Sequence, residues 1–105
     1  MKFSCQEQAG RTVVAVEGVL DSLTVPEIRP LVDRLVSERR SSIEVDLRAL
    51  RLIDSSGVGV IVSLYKQCRA FGGTVQVVGV EGQPLAIFKL LRLDRVFELD
   101  AGPER

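Results

Sequence analysis

The chain has 105 residues, the length of one compact domain, and such a domain buries roughly two-thirds of its unfolded surface in a single core. Hydrophobic residues at 46% and charged residues at 27% exclude a disordered, collagen-like or coiled-coil chain, so one domain spanning residues 1–105 is expected. Lys plus Arg and Asp plus Glu number 14 each, which leaves no net field to hold a nucleic-acid backbone or an anionic membrane surface.

The absence of histidine removes Ser-His-Asp and Cys-His nucleophiles and the usual imidazole metal ligands. Cys5 and Cys68 have no neighbouring Cys or His, so zinc and CxxC spacings are missing and both are expected as buried free thiols. The first residues carry no apolar run of signal-peptide length, and no segment approaches the roughly 20 apolar residues that span a bilayer. A reducing cytoplasm is the expected compartment, without membrane insertion.

In chain order, residues 2–6 read as a short strand and "QAGR" as a turn. Residues 12–20, "TVVAVEGVL", are β-branched and read as a second strand bent at Gly18, which makes the pair an antiparallel hairpin at a sheet edge. Residues 23–36 place Leu23, Ile28, Leu31, Val32, Leu35 and Val36 mostly on one helical stripe. Pro26 suits a first turn, whereas Pro30 predicts a kink or a late start. The adjacent Arg39 and Arg40 near that helix end read as a solvated face.

Residues 43–47, "IEVDL", alternate as a strand, and "RALRLI" leads from it into "DSSG". Residues 58–71 carry apolar side chains at three-to-four spacing, a helix stopped by Gly72-Gly73. Residues 74–80 read as a strand, 84–91 as a short helix opening on proline, 96–99 as a final strand and "DAGPER" as a frayed end. The resulting order, β-β-α-β-α-β-α-β, predicts a mixed, mostly parallel and largely buried sheet with crossover helices packed on it.

The turn Asp54-Ser55-Ser56-Gly57 has two readings. Asp54 or Ser55 can cap the first amides of the following helix. Against a purely structural role, Gly57 and Gly59 each cost about 1 kcal/mol relative to alanine, and small residues there leave the serine hydroxyls open to a visitor. The positive helix end also suits an anion, including phosphate on Ser55. New charge beside Asp54, and beside Asp21 if the strand ends converge, would repel acidic groups on a docked protein. At about 5 Å and an effective dielectric near 20, each such pair is worth roughly 3 kcal/mol before screening, about a hundredfold in binding. Catalysis is the weaker reading: Ser55 has no histidine and no nearby lysine, and Asp21, Asp46 and Asp54 read as strand-end and capping acids rather than a metal cluster. Nucleotide binding lacks a GxxxxGK[ST] run.

Four segments, "GVLD" at residues 18–21, "VDL" at 45–47, "IDSSGVGVIV" at 53–62 and "GTVQVVGV" at 73–80, resemble the STAS domain family, in particular bacterial anti-sigma factor antagonists. The likeness runs over essentially the whole chain and places the switch reading above the cap. It implies a single-domain STAS-like α/β fold; together with the missing histidine, metal spacing and nucleotide motif, no enzymatic activity, no cofactor and no metal are expected. It also implies a partner-switching cycle: the unmodified domain docks on an anti-sigma factor with serine kinase activity and frees a sigma factor, the kinase phosphorylates Ser55, and a metal-dependent serine phosphatase resets it. Carried over, Ser55 is the phosphoacceptor, and Asp21, Asp54, Ser55, Ser56, Gly57 and Val58 form the partner-binding set. Two departures stand out. Val19 occupies a position where relatives often carry an acid, and the chain ends soon after the expected last strand, where relatives add a helix. The alternative within the family is an accessory subunit of an ABC-type lipid or anion transport complex.

Overall fold

The computed structural model describes residues 1–99. Strands β1 (Lys2–Gln8) and β2 (Arg11–Leu20) form the expected hairpin, with Lys2 opposite Glu17 and Gln8 opposite Arg11. The two-residue connection has Ala9 at φ 52° and Gly10 at φ 81°, the left-handed pair whose twist matches that of the flanking strands. Helix α1 (Val25–Ser37) follows, then β3 (Ser42–Asp46), β4 (Leu50–Ile53), α2 (Ser55–Ala70), β5 (Thr74–Val78), α3 (Gly82–Leu90) and the single turn α4 (Leu93–Val96).

The sheet order is β1-β2-β3-β5, with β4 also paired to β2. β3 runs parallel to β2 from Thr12 opposite Ile43, and β4 runs parallel to the far end of β2, with Leu20 opposite Ile53. The two therefore succeed one another along the same side of β2. Between them the chain steps out through a turn closed by Leu50 N–H donating to Leu47 O at 3.0 Å, and Gly18 N–H donates to Ala49 O at 3.0 Å. The pairing of β2 shifts register there between Gly18 and Val19, and Gly18 sits at φ 90°, so the bend expected at this glycine is present.

Buried side chains alternate along the strands: Val14 and Val16 on β2, Ile43 and Val45 on β3, Val75 and Val77 on β5. Against them pack Ile28, Leu31, Val32 and Leu35 of α1, Val58, Ile61, Leu64 and Cys68 of α2, and Phe88 of α3. The intervening Val13, Glu44, Gln76, Ala15, Asp46 and Val78 stay partly or fully exposed. The sheet is thus covered on one face, not largely buried as expected. Both crossovers, β2 to β3 through α1 and β4 to β5 through α2, step in the same direction along the sheet. Right-handed crossovers in one direction put both helices on one side.

Other expectations change as well. α1 starts at Val25, ahead of Pro30, so there is no late start; Pro30 lies on the exposed side, where water can serve the carbonyl that loses its donor. β4, read as a lead-in, is a strand. The final strand expected at 96–99 is absent: Phe97 N–H donates to Leu93 O at 3.0 Å, a helical turn that swings the buried Phe97 ring to within 5.2 Å of the Tyr65 ring centroid, edge on. Leu93 and Phe97 share one face at helical spacing, which outweighs a four-residue alternation. Helix α4 and the turn that closes it therefore take up the residues where a last strand was expected to begin, and the tail expected to fray lies outside the described residues. Cys68 is fully buried, and burial pushes its thiol pKa up, but Cys5 is only half-buried. Arg39 stacks over the Phe71 ring at 5.3 Å and Arg40 pairs with Glu38 and Glu7, so the basic pair serves the fold's surface.

Candidate functional site

β2 and β4 end side by side, and Asp54 N–H donates to Leu20 O at 3.2 Å just beyond their last paired residues. The extended backbone of Asp54, φ −116° and ψ −174°, turns its carboxylate over the start of α2. Oδ1 accepts from Gly57 N–H at 3.0 Å, which settles the cap as Asp54 rather than Ser55. Oδ2 reaches across to the neighbouring loop and accepts from Ser22 N–H at 3.2 Å. The Gly57 amide foremost, with Ser22 also contributing against a partial loss of solvent, holds the Asp54 carboxyl below its ordinary range. At neutral pH it is a carboxylate.

Asp21 does for the β2 to α1 loop what Asp54 does for α2. Its Oδ1 accepts from the backbone N–H groups of Leu23 at 3.0 Å and Thr24 at 3.1 Å. In return, Thr24 Oγ1 accepts from Asp21 N–H at 2.9 Å and donates to Val19 O at 3.0 Å. This reciprocal arrangement fixes the loop and projects Leu23 into solvent at 83% exposure, the most exposed large apolar side chain among the described residues. Val19 and Leu52 are cross-strand neighbours; Leu52 is exposed, so an apolar spot adjoins the two aspartates.

Ser55 and Ser56 occupy the first two positions of α2, both are exposed, and neither hydroxyl is bonded to another described residue. Gly57 and Val58 turn the other way and are buried. A Cβ at Gly57 would stand 2.5 Å from Leu20 O and 2.7 Å from Ile53 Cγ1, whereas one at Gly59 would meet nothing within 4 Å. The two glycines read alike in sequence therefore differ. Gly57 is required by packing of the helix onto the strand ends, and Gly59 keeps the outer surface of the first turn bare. Of the six partner-binding candidates, Asp21, Asp54, Ser55 and Ser56 gather at the surface, while Gly57 and Val58 form the floor beneath them.

Gln83, absent from the sequence reading, completes the support. Its Oε1 accepts from Ile53 N–H at 2.9 Å and its Nε2 donates to Ile53 O at 3.0 Å. The amide imitates a neighbouring strand on the open edge of β4, at the residue that precedes Asp54. No sequence signal marks it, because the pairing depends on where α3 lands. Leu23, expected on the apolar helical stripe of residues 23–36, lies instead in the loop ahead of α1.

Ser55 offers an exposed hydroxyl, and the adjoining acid in sequence, Asp54, already accepts from two backbone amides that hold its carboxyl below the ordinary range.

The fold and this turn define a class. Residues 3–99 match the family model described as "Mlab, STAS domain", and the chain belongs to the STAS domain family. It is 28% identical over 100 residues to an anti-sigma F factor antagonist of Paenibacillus polymyxa, covering 94% of this chain and 83% of the relative. It is 26% identical over 91 residues to an anti-sigma-B factor antagonist of Staphylococcus aureus, covering 87% and 84%. Among solved structures, an anti-sigma factor antagonist from Mycobacterium paratuberculosis shares the fold with a TM-score of 0.84 at 22% identity, over 91% of this chain and 81% of that one. The phosphorylated form of the Bacillus cell fate determinant SpoIIAA shares it with a TM-score of 0.73 at 21% identity, over 90% and 86%. No helix among the described residues is long and apolar enough to cross a membrane.

Proposed function

We propose that this chain is an anti-sigma factor antagonist of the cytoplasm. Its unmodified form docks on an anti-sigma factor with serine kinase activity, releasing a sigma factor, and phosphate on Ser55 ends the contact. The observation that carries this reading is the Ser55 hydroxyl itself, exposed and not bonded to any other described residue, at the first position of α2 above the buried Gly57 and Val58. The names of the relatives from Paenibacillus polymyxa and Staphylococcus aureus support the same assignment.

In the modification step Ser55 Oγ attacks the γ-phosphorus of ATP, the bond to the bridging oxygen breaks, ADP leaves, and the hydroxyl proton passes to a base of the kinase. The product carries about −1.5 to −2 charge next to the Asp54 carboxylate. An acidic group of the partner about 5 Å away then meets roughly 3 kcal/mol of repulsion per unit-charge pair before screening. The fold survives because the new anion sits at the positive end of α2. A metal-dependent serine phosphatase resets the cycle.

The test is phosphorylation by the partner kinase with ATP, followed by site mapping with mass spectrometry and binding measurements. Phosphate should map to Ser55, the Ser55→Ala variant should still bind but take up none, and Ser55→Asp should bind about a hundredfold more weakly. Phosphate confined to another residue rejects the site. Undiminished binding by Ser55→Asp rejects the switch, and co-purification with a permease or ATPase in place of the kinase replaces it with the transport-subunit reading.

A further inference from the structure

Asp54 has two oxygens and uses them in different parts of the molecule. Oδ1 caps α2 through Gly57 N–H at 3.0 Å, and Oδ2 holds Ser22 N–H, in the loop that follows β2, at 3.2 Å. This is a side-chain tether between the turn that presents Ser55 and the loop that presents Leu23. The loop is otherwise ordered from within, by Asp21 Oδ1 on the amides of Leu23 and Thr24 and by Thr24 Oγ1 on Asp21 N–H and Val19 O. Among the described residues it is therefore a small, internally bonded unit tied to the start of α2 through one exposed side-chain hydrogen bond.

We propose that Asp54 transmits charge at Ser55 to the Ser22-Leu23 loop: an anion on Ser55 detaches Ser22 from Asp54 and frees Leu23 to move relative to the acceptor serine. The inference rests on the reading of Ser55 as the phosphoacceptor, which it deepens. Its physical basis is competition for the same few donors. The first amides of a helix have no intrahelical partners, and Asp54 Oδ1 already takes the one on Gly57. A phosphate one residue further along the chain reaches the same amides and repels the carboxylate that occupies them. Of the bonds from Gly57 N–H and Ser22 N–H to the Asp54 carboxylate oxygens, the longer one, from exposed Ser22 N–H, yields first. The Asp21 and Thr24 bonds do not involve Asp54, so the loop keeps its internal shape. Modification then alters the docking surface twice, in charge at Ser55 and in the placement of an apolar side chain that is 83% exposed.

Amide hydrogen exchange by NMR tests this on the full chain without any kinase, using wild type, Ser55→Glu, and protein with phosphoserine incorporated at position 55. Ser22 N–H should exchange about tenfold faster in the phosphoserine form and change in the same direction in Ser55→Glu, while the Leu23 and Thr24 amides stay within about twofold of wild type. Asp54→Ala should accelerate Ser22 in the same way. A wild-type rate at Ser22 in the phosphoserine form overturns the proposal, as does an unchanged Ser22 in Asp54→Ala. Faster exchange throughout residues 22–24 overturns it too, because the loop would then be melting rather than detaching. The two readings fail separately: a kinase that ignores Ser55 removes the proposed function and leaves the coupling, whereas lost docking with an unmoved Ser22 amide does the reverse.

Discussion

Replacing Gly57 with alanine adds one methyl group where the helix meets the ends of two strands. The new carbon would lie 2.5 Å from Leu20 O, 2.7 Å from Ile53 Cγ1 and 3.0 Å from Leu20 Cγ. Carbon atoms in good contact sit about 3.5–4.0 Å apart, so the overlap approaches an ångström. Leu20 cannot retreat easily: it is fully buried, paired with Ile53, and its carbonyl already accepts from Asp54 N–H. α2 must lift instead, which strains the Asp54 cap. Overpacking of this kind costs up to about 3 kcal/mol, and alanine recovers about 1 kcal/mol of helix propensity, for a net loss near 2 kcal/mol. For a domain of this size that lowers the melting temperature by roughly 10 °C. Gly59→Ala, two residues on, meets no neighbour within 4 Å and should gain the propensity alone, raising the melting temperature by about 5 °C. Thermal unfolding of the two variants followed by circular dichroism compares them directly. If Gly57→Ala melts at or above wild type, the close approach of α2 to Leu20 is wrong, and the account of how Ser55 is presented falls with it.

Asp54→Ala should lower the melting temperature, and by an amount that depends on pH. The folded carboxyl is held below its unfolded value, so its contribution is full above the ordinary carboxylate range and disappears as pH falls through the folded value. Melting curves taken from neutral pH downward should therefore converge for wild type and variant in acid; a constant gap would assign the effect to something other than the carboxylate. Gln83→Ala leaves the N–H and C=O of Ile53 unpaired on the edge of β4 and should cost about 1–3 kcal/mol in urea unfolding, with faster exchange of the Ile53 amide. Wild-type stability in that variant would mean that water replaces the side chain without loss.

The sequence alone carried the periodic parts of this protein. β-branched runs placed the hairpin and the strands at 43–47 and 74–80, three-to-four spacing placed the long helices, and the Asp-Ser-Ser-Gly turn marked the start of α2 as the place to look. These features are local, written within a few residues of one another. β4 escaped because four residues, two of them exposed, carry too short a pattern to read. Residues 96–99 misled because a four-residue alternation also fits one turn of helix, and only the packing of Phe97 on Tyr65 and Phe88 separates the two.

What tertiary structure decided is every relation between distant segments. Gly57 and Gly59 are the same residue type in the same turn, and only the positions of Leu20 and Ile53 make a side chain costly at one and free at the other. Asp21 and Asp54 become neighbours because β2 and β4 pair in parallel and end together, and Gln83 supports the site because α3 falls against the open edge of β4. A hydrogen bond needs its atoms within about 3 Å, a distance that chain order does not encode for residues thirty positions apart. The sequence marks the Asp-Ser-Ser-Gly turn, and the fold sets Ser55 at the surface above Gly57 and Val58 and ties Asp54 to Ser22.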